Sequence, residues 1–126
     1  MSYRVSTLTP AINWRVLDGS DIVIALNKAA YLSAISVSEA MTGVRIIPHS
    51  TTVALDFGSI ASAKAAMVWV AADSDVATMG VEVNDSDDDI FECKAWGASG
   101  GAGITGIEIT NSDGADTLVV EYMIYE

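Results

Sequence analysis

Thr117-Leu118-Val119-Val120-Glu121-Tyr122-Met123-Ile124-Tyr125, near the C-terminus, alternates with period two. In an extended strand successive side chains point to opposite faces, so Leu118, Val120, Tyr122 and Ile124 share one apolar face. The other face, with Thr117, Val119, Glu121, Met123 and Tyr125, is mixed. Upstream, Ile104-Thr105-Gly106-Ile107-Glu108-Ile109-Thr110 sets Ile107 and Ile109 against Gly106, Glu108 and Thr110. Asn111-Ser112-Asp113-Gly114-Ala115-Asp116 links the two runs, and its Asp-Gly pair predicts a hairpin turn. A second hairpin is predicted from Ala77, Met79, Val81 and Val83, which alternate with Val76, Thr78, Gly80 and Glu82, and residues 90–96, where Phe91, Cys93 and Ala95 oppose Ile90, Glu92, Lys94 and Trp96. The Asn84–Asp89 segment would be its tip.

Further upstream, Ala65-Ala66-Met67-Val68-Trp69-Val70-Ala71-Ala72 is apolar on both faces and reads as a buried central strand, with Trp69 in the core. Thr51–Phe57, Gly43–Ile47, Asp21–Leu26, Ile12–Leu17 and Tyr3–Leu8 are further strand candidates. Residues 27–42 fit two patterns: a helix capped by Asn27 with Ala29, Leu32 and Ile35 inward, or a strand over Tyr31–Val37, which is preferred. Gly97–Gly103 reads as a mobile loop. Short strands at about 10-residue spacing, with no linker or repeat, predict one all-β domain over residues 1–126. The expected architecture is a single antiparallel β-sandwich, jelly-roll-like, of about 8–10 strands.

With 51% hydrophobic residues the chain can fill a core, so its net charge of −11 does not signal disorder. Residues 1–64 carry five bases and four acids, a net of +1, whereas residues 65–126 carry thirteen acids and Lys94 alone, a net of −12. Six scattered bases cannot form a phosphate-binding patch, which argues against nucleic acid and against an anionic membrane surface. The opening Met-Ser-Tyr-Arg-Val-Ser-Thr has no apolar signal core, and no run approaches the ~20 apolar residues of a spanning helix. Synthesis in a cytoplasm is therefore expected. The split suggests a polar object with an acidic end and a near-neutral docking side, and the Asn84–Asp89 tip is expected to point away from the docking side.

Chemical motifs are sparse. Gly101-Ala102-Gly103-Ile104-Thr105-Gly106 matches G-x-G-x-x-G, but that fingerprint needs a strand before it and a helix after it to hold a pyrophosphate. Here it opens a strand, so no nucleotide cofactor is expected. Asp85, Asp87 and Asp89 have the spacing of the first three ligands of an EF-hand calcium loop and are the metal candidates. Ile90 stands where that loop needs Gly, and Trp96 where it needs a bidentate Glu. His49, the one histidine, falls in a loop beside Ser50, without a G-x-S-x-G elbow. Cys93 is a lone thiol on an apolar face, which excludes an internal disulfide. Glu82, Glu92, Glu108 and Glu121 are expected on solvated strand faces. No catalytic set emerges, and a non-enzymatic protein is expected.

Among Trp14, Trp69, Trp96, Tyr122 and Tyr125, the aromatics placed to meet a ligand or a neighbouring subunit are Trp96, read on the polar face, and then Tyr125.

From about Thr52 onward the chain resembles the small β-sandwich proteins of tailed-bacteriophage virions. The resembling features are Val53-Ala54-Leu55-Asp56-Phe57-Gly58-Ser59-Ile60-Ala61-Ser62-Ala63-Lys64, a buried strand through Trp69 and a hairpin with an acidic tip. Gly103-Ile104-Thr105-Gly106-Ile107-Glu108-Ile109-Thr110-Asn111 and a closing valine-rich strand complete the likeness. It is a rhythm of strands and turns covering a little over half the chain. The resemblance implies a capsid decoration (cement) protein, or else a tail or baseplate component, located in the virion and partnered by the major capsid protein or another lattice protein. Strands apolar on both faces suggest surface covered by other copies, so a homo-oligomer is expected, a trimer first. A carbohydrate-binding, lectin-like module using Trp96 is the alternative.

Overall fold

The C-terminal run folds as its alternation requires: along Leu118–Tyr125, Leu118, Val120, Tyr122 and Ile124 are buried and the residues between them half-buried. The structure, a computed structural model, describes residues 2–3, 7–8, 12–18, 21–28, 35–36, 38–85 and 91–126. The strands are β1 (Ser2–Tyr3), β2 (Thr7–Leu8), β3 (Ile12–Asp18), β4 (Asp21–Lys28), β5 (Ile35–Ser36), β6 (Ala40–Ile47) and β7 (Thr51–Ala54). They continue as β8 (Ala63–Val70), β9 (Met79–Val83), β10 (Phe91–Cys93), β11 (Ala95–Ile104), β12 (Ile107–Asn111) and β13 (Leu118–Tyr125). No helix occurs among the described residues. In the 27–42 region, Asn27 and Lys28 end β4, and β5 lies within the strand expected over Tyr31–Val37; residues 29–34 and 37 lie outside the described set.

A larger sheet has the order β1-β6-β13-β8-β11 and a smaller one β10-β9-β12-β7, all neighbours antiparallel. Two ribbons, β2-β5 and β3-β4, complete the described strands. From β6 to β13 the two sheets have the strand order of a jelly roll, β6-β13-β8-β11 against β10-β9-β12-β7. The expected all-β sandwich is therefore present. Its core lies between the sheets: Met41, Ile47, Ala66, Val68, Val120, Tyr122 and Ile124 from one, Met79, Val81, Ile107 and Ile109 from the other. Leu55 and Ile60 close the core from the β7–β8 loop.

Two local expectations are overturned by the way the chain passes between sheets. The Asp-Gly link was expected to close a hairpin, yet β12 belongs to the smaller sheet and β13 to the larger. Asn111 makes this corner. Fully buried, its Nδ2 donates to the Ile47 and Asp116 carbonyls at 3.1 and 2.9 Å, and its Oδ1 accepts from Asp113 N at 3.1 Å. Asp113 Oδ1 then accepts from Ala115 N and Asp116 N at 2.8 and 2.7 Å. These two main-chain donors hold the Asp113 carboxyl below its ordinary range.

Of residues 90–96, read as one strand, Ile90 lies outside the described set and the rest form two strands in different sheets, with the chain crossing at Lys94. Only the β9–β10 pairing survives as an expected hairpin, Phe91 opposite Val81 and Cys93 opposite Met79. Likewise Gly97–Gly103 is no loop: it lies inside β11, whose pairing with β8 shifts register between Ser99 and Ile104. Glycine tolerates this break: β8 pairs Ala95–Ser99 and Ile104, the residues between them fall in the register shift, and Gly103 takes the left-handed region at φ 67°.

Gly43 shows the opposite use of glycine. It faces Tyr122 across the β6–β13 pair, and a Cβ there would lie 2.6 Å from the ring's Cζ and hydroxyl. The tyrosine ring fills the space a larger residue would take.

Candidate functional site

Register decides which aromatics are available. Trp96 pairs with Val68 and so takes the inner parity of the larger sheet, half-buried against the core. Its expected place on a polar outer face is corrected by the crossing at Lys94, which resets the alternation. Trp69 moves the other way. It pairs with Glu121 and Ala95 on the outer parity and is half-buried, not core. Tyr125 keeps its expected mixed face, between Ala40 and Ala65, and its hydroxyl donates to Met123 Sδ at 3.1 Å.

The outer face of the larger sheet is consequently apolar. Val44, Ile46 and Met67, 65%, 64% and 45% exposed, are its open residues. Trp69, Val119, Met123 and Tyr125 lie half-buried on the same face, and Glu121 is its one charge among the described residues. Each exposed hydrophobe alone is ordinary; three sharing a sheet face with four half-buried ones make a patch. The sequence signal was already there, in strands apolar on both sides.

The smaller sheet is the acidic layer. Its described strands hold Glu82, Glu92 and Glu108 and no base, whereas the larger sheet holds Arg45 and Lys64 against Glu121. The second half of the chain supplies strands to both sheets, but its strand acids other than Glu121 all lie in the smaller one. Asn84 and Asp85, the described part of the acidic tip, follow β9 in the acidic layer.

Asp85 does join a carboxylate group, though not the expected one. Asp87 and Asp89 lie outside the described residues. Glu82 and Glu108 are directly paired across β9 and β12, and one oxygen from each, with one from Asp85, lies within 4.8 Å of the others. Oxygen ligands of this kind suit a hard cation. Glu82 was expected in solvent but is only 9% exposed. The tip is anchored by Asn84, in the left-handed region at φ 56°. Its Nδ2 donates to Gly103 O at 3.1 Å, and its Oδ1 accepts from Thr105 N at 2.7 Å. The G-x-G-x-x-G match is therefore a strand end tied to a turn. Local spacing could not reveal Glu82 and Glu108, because they meet Asp85 only through sheet pairing.

The chain matches no family model, no curated protein and no solved structure in these three comparisons. The functional reading rests on the two faces.

The remaining candidates serve structure. His49, Ser50 and Asp113 lie together at the corner, but Ser50 N and Oγ both donate to the Asp113 carbonyl, at 3.0 and 3.4 Å. The Asp113 carboxylate is turned to main-chain donors, so no nucleophile–base–acid relay forms there. Cys93 is half-buried on β10, and burial beside Glu92 raises its thiol pKa, which disfavours the reactive thiolate.

Proposed function

We propose that the chain is a non-enzymatic assembly protein that docks through the outer face of its larger sheet. The lattice we assign to it is that of a bacteriophage virion, where it acts as a capsid decoration protein on the major capsid protein. The observation that carries the reading is the apolar outer face, open at Val44, Ile46 and Met67. A contiguous patch of a few hundred Å² is the size at which partner surfaces begin on monomers. At about 25 cal/mol per Å², burying it yields several kcal/mol before association costs, enough for a site repeated over a lattice. The strands of the larger sheet carry Arg45 and Lys64 against Glu121 alone, so docking through it sets little of the chain's negative charge against the lattice. Jelly rolls also serve in capsids and lectins, an analogy of fold alone. The lectin-like alternative loses its anchor, since Trp96 packs against the core.

Quantitative mass spectrometry of purified particles tests the reading. Hundreds of copies per particle are expected, and Met67→Lys protein should not rebind particles stripped of the chain. A few copies would indicate a tail or baseplate component, and absence would refute the virion assignment.

A further inference from the structure

Among the described residues the outer edge of β6 is open beyond Met41. β1 pairs with it only at Ala40 and Met41, and no described residue pairs with the same edge from Thr42 to Ile47. Val44 and Ile46 are 65% and 64% exposed there, and Arg45 is exposed as well. In an antiparallel sheet alternate residues turn both N–H and C=O away from a given neighbour. The segment therefore offers main-chain donors and acceptors that another extended strand satisfies in register. The usual protections are missing. β6 contains no proline, Pro48 standing just beyond it, and the β6–β13 ladder runs from Ala40 to Ile47 without a bulge.

We propose that this edge pairs antiparallel with the same edge of a second copy of the chain, about a two-fold axis through Val44. The two larger sheets then become one continuous sheet. An axis normal to the sheet keeps both outer faces on one side, so residues of like parity meet. With the axis at Val44, Val44 meets its own copy, Thr42 meets Ile46 and Gly43 meets Arg45. Apolar side chains then adjoin on the outer face, and the glycine leaves room beside the arginine. An axis at Arg45 would oppose two like charges, which is destabilising.

Charge also selects a second copy at this edge. Two chains of −11 repel, yet residues 39–64 hold two acids and two bases, a net of zero. β7 and β12 of the smaller sheet both contact β6; β7 is uncharged over Thr51–Ala54, and Glu108 is the one charge on β12. The other strand glutamates of the acidic layer sit on β9 and β10. Five residues of edge pairing, Thr42–Ile46, place the contact at the low end of specific interfaces, with a dissociation constant of roughly micromolar order. The inference goes beyond the docking reading and does not depend on what the outer face binds.

Sedimentation velocity from low to high micromolar concentration is the test. A monomer–dimer equilibrium is expected, strengthened by added NaCl, because salt screens the repulsion between acidic chains. Val44→Lys should raise the dissociation constant at least tenfold, although it reduces the net negative charge. For register, Val44→Cys in a Cys93→Ser background should give a disulfide-linked dimer under copper-catalysed air oxidation. Two thiols lose two protons and two electrons to oxygen, and directly opposed Cα atoms about 4.5–5.5 Å apart suit the bond. Val119→Cys should not cross-link. A monomer at every concentration, a trimer, or a dimer that Val44→Lys leaves intact would overturn the proposal; if Val44→Lys does not fold, the cross-link decides. Loss of particle binding in Met67→Lys with the dimer intact would separate docking from dimerisation.

Discussion

Gly43→Ala sets two physical effects against each other with opposite signs. Gly43 is not among the positive-φ glycines, so alanine suits its backbone. Restricting the unfolded chain should then stabilise the protein by about 0.4–1 kcal/mol. The added methyl, however, would stand 2.6 Å from Tyr122 Cζ, 2.6 Å from its hydroxyl and 2.8 Å from Cε1. Relief needs a displacement of about 1 Å in a close-packed interior. Tyr122 is 5% exposed and makes a main-chain hydrogen bond with Asp56, so the ring cannot give way without loosening both. Overpacking costs about 1–3 kcal/mol, and a weakened hydrogen bond about another 1. The clash wins, with a net destabilisation of about 1–3 kcal/mol, or roughly 4–12 °C in Tm for a domain of this size. Urea unfolding of four proteins tests it: wild type, Gly43→Ala, Tyr122→Leu and the double variant. In the Tyr122→Leu background the ring is gone, so Gly43→Ala should become neutral or mildly stabilising, giving a coupling of about 1–3 kcal/mol. Additive effects, or a stabilising Gly43→Ala in the wild type, would refute the close approach of ring and glycine.

Asn111→Ala should cost about 2–4 kcal/mol in urea unfolding, because it leaves the Ile47 carbonyl without the Asn111 donor in a buried corner. Burial first, and then the Asp56 carboxylate, raise the Tyr122 pKa above its ordinary value near 10. Its contribution to stability is thus complete below that value and is lost as pH rises through the folded pKa. Absorbance titration at 295 nm should show one late-ionising tyrosine, absent in Tyr122→Phe. Glu108→Gln should stabilise the metal-free protein by about 0.2–1 kcal/mol at low salt, by removing a like charge directly opposite Glu82. Destabilisation would mean that repulsion is not the dominant interaction in that group.

Much of the fold was legible locally because strand alternation is a property of adjacent residues. Leu118, Val120, Tyr122 and Ile124 share a buried face as their spacing required. So do Met79 and Val81, and Ile107 and Ile109. The candidate site was legible only in outline: strands apolar on both sides implied a patch, whereas Asp85, named beside Asp87 and Asp89 as a metal candidate, lies in a different carboxylate group, with Glu82 and Glu108.

The sequence by itself thus determined the all-β class, which side chains travel together on each strand, and the uneven charge. Tertiary structure alone decided which face turns inward and which strands are partners. A dipeptide such as Asp113-Gly114 encodes a reversal of direction, but whether the returning strand pairs or crosses to the other sheet depends on distant contacts, here Asn111 on Ile47. Long-range pairing also placed both tryptophans: the crossing at Lys94 resets the alternation and turns Trp96 inward, while the pairing of Trp69 with Glu121 and Ala95 puts it on the outer face of a strand apolar on both sides.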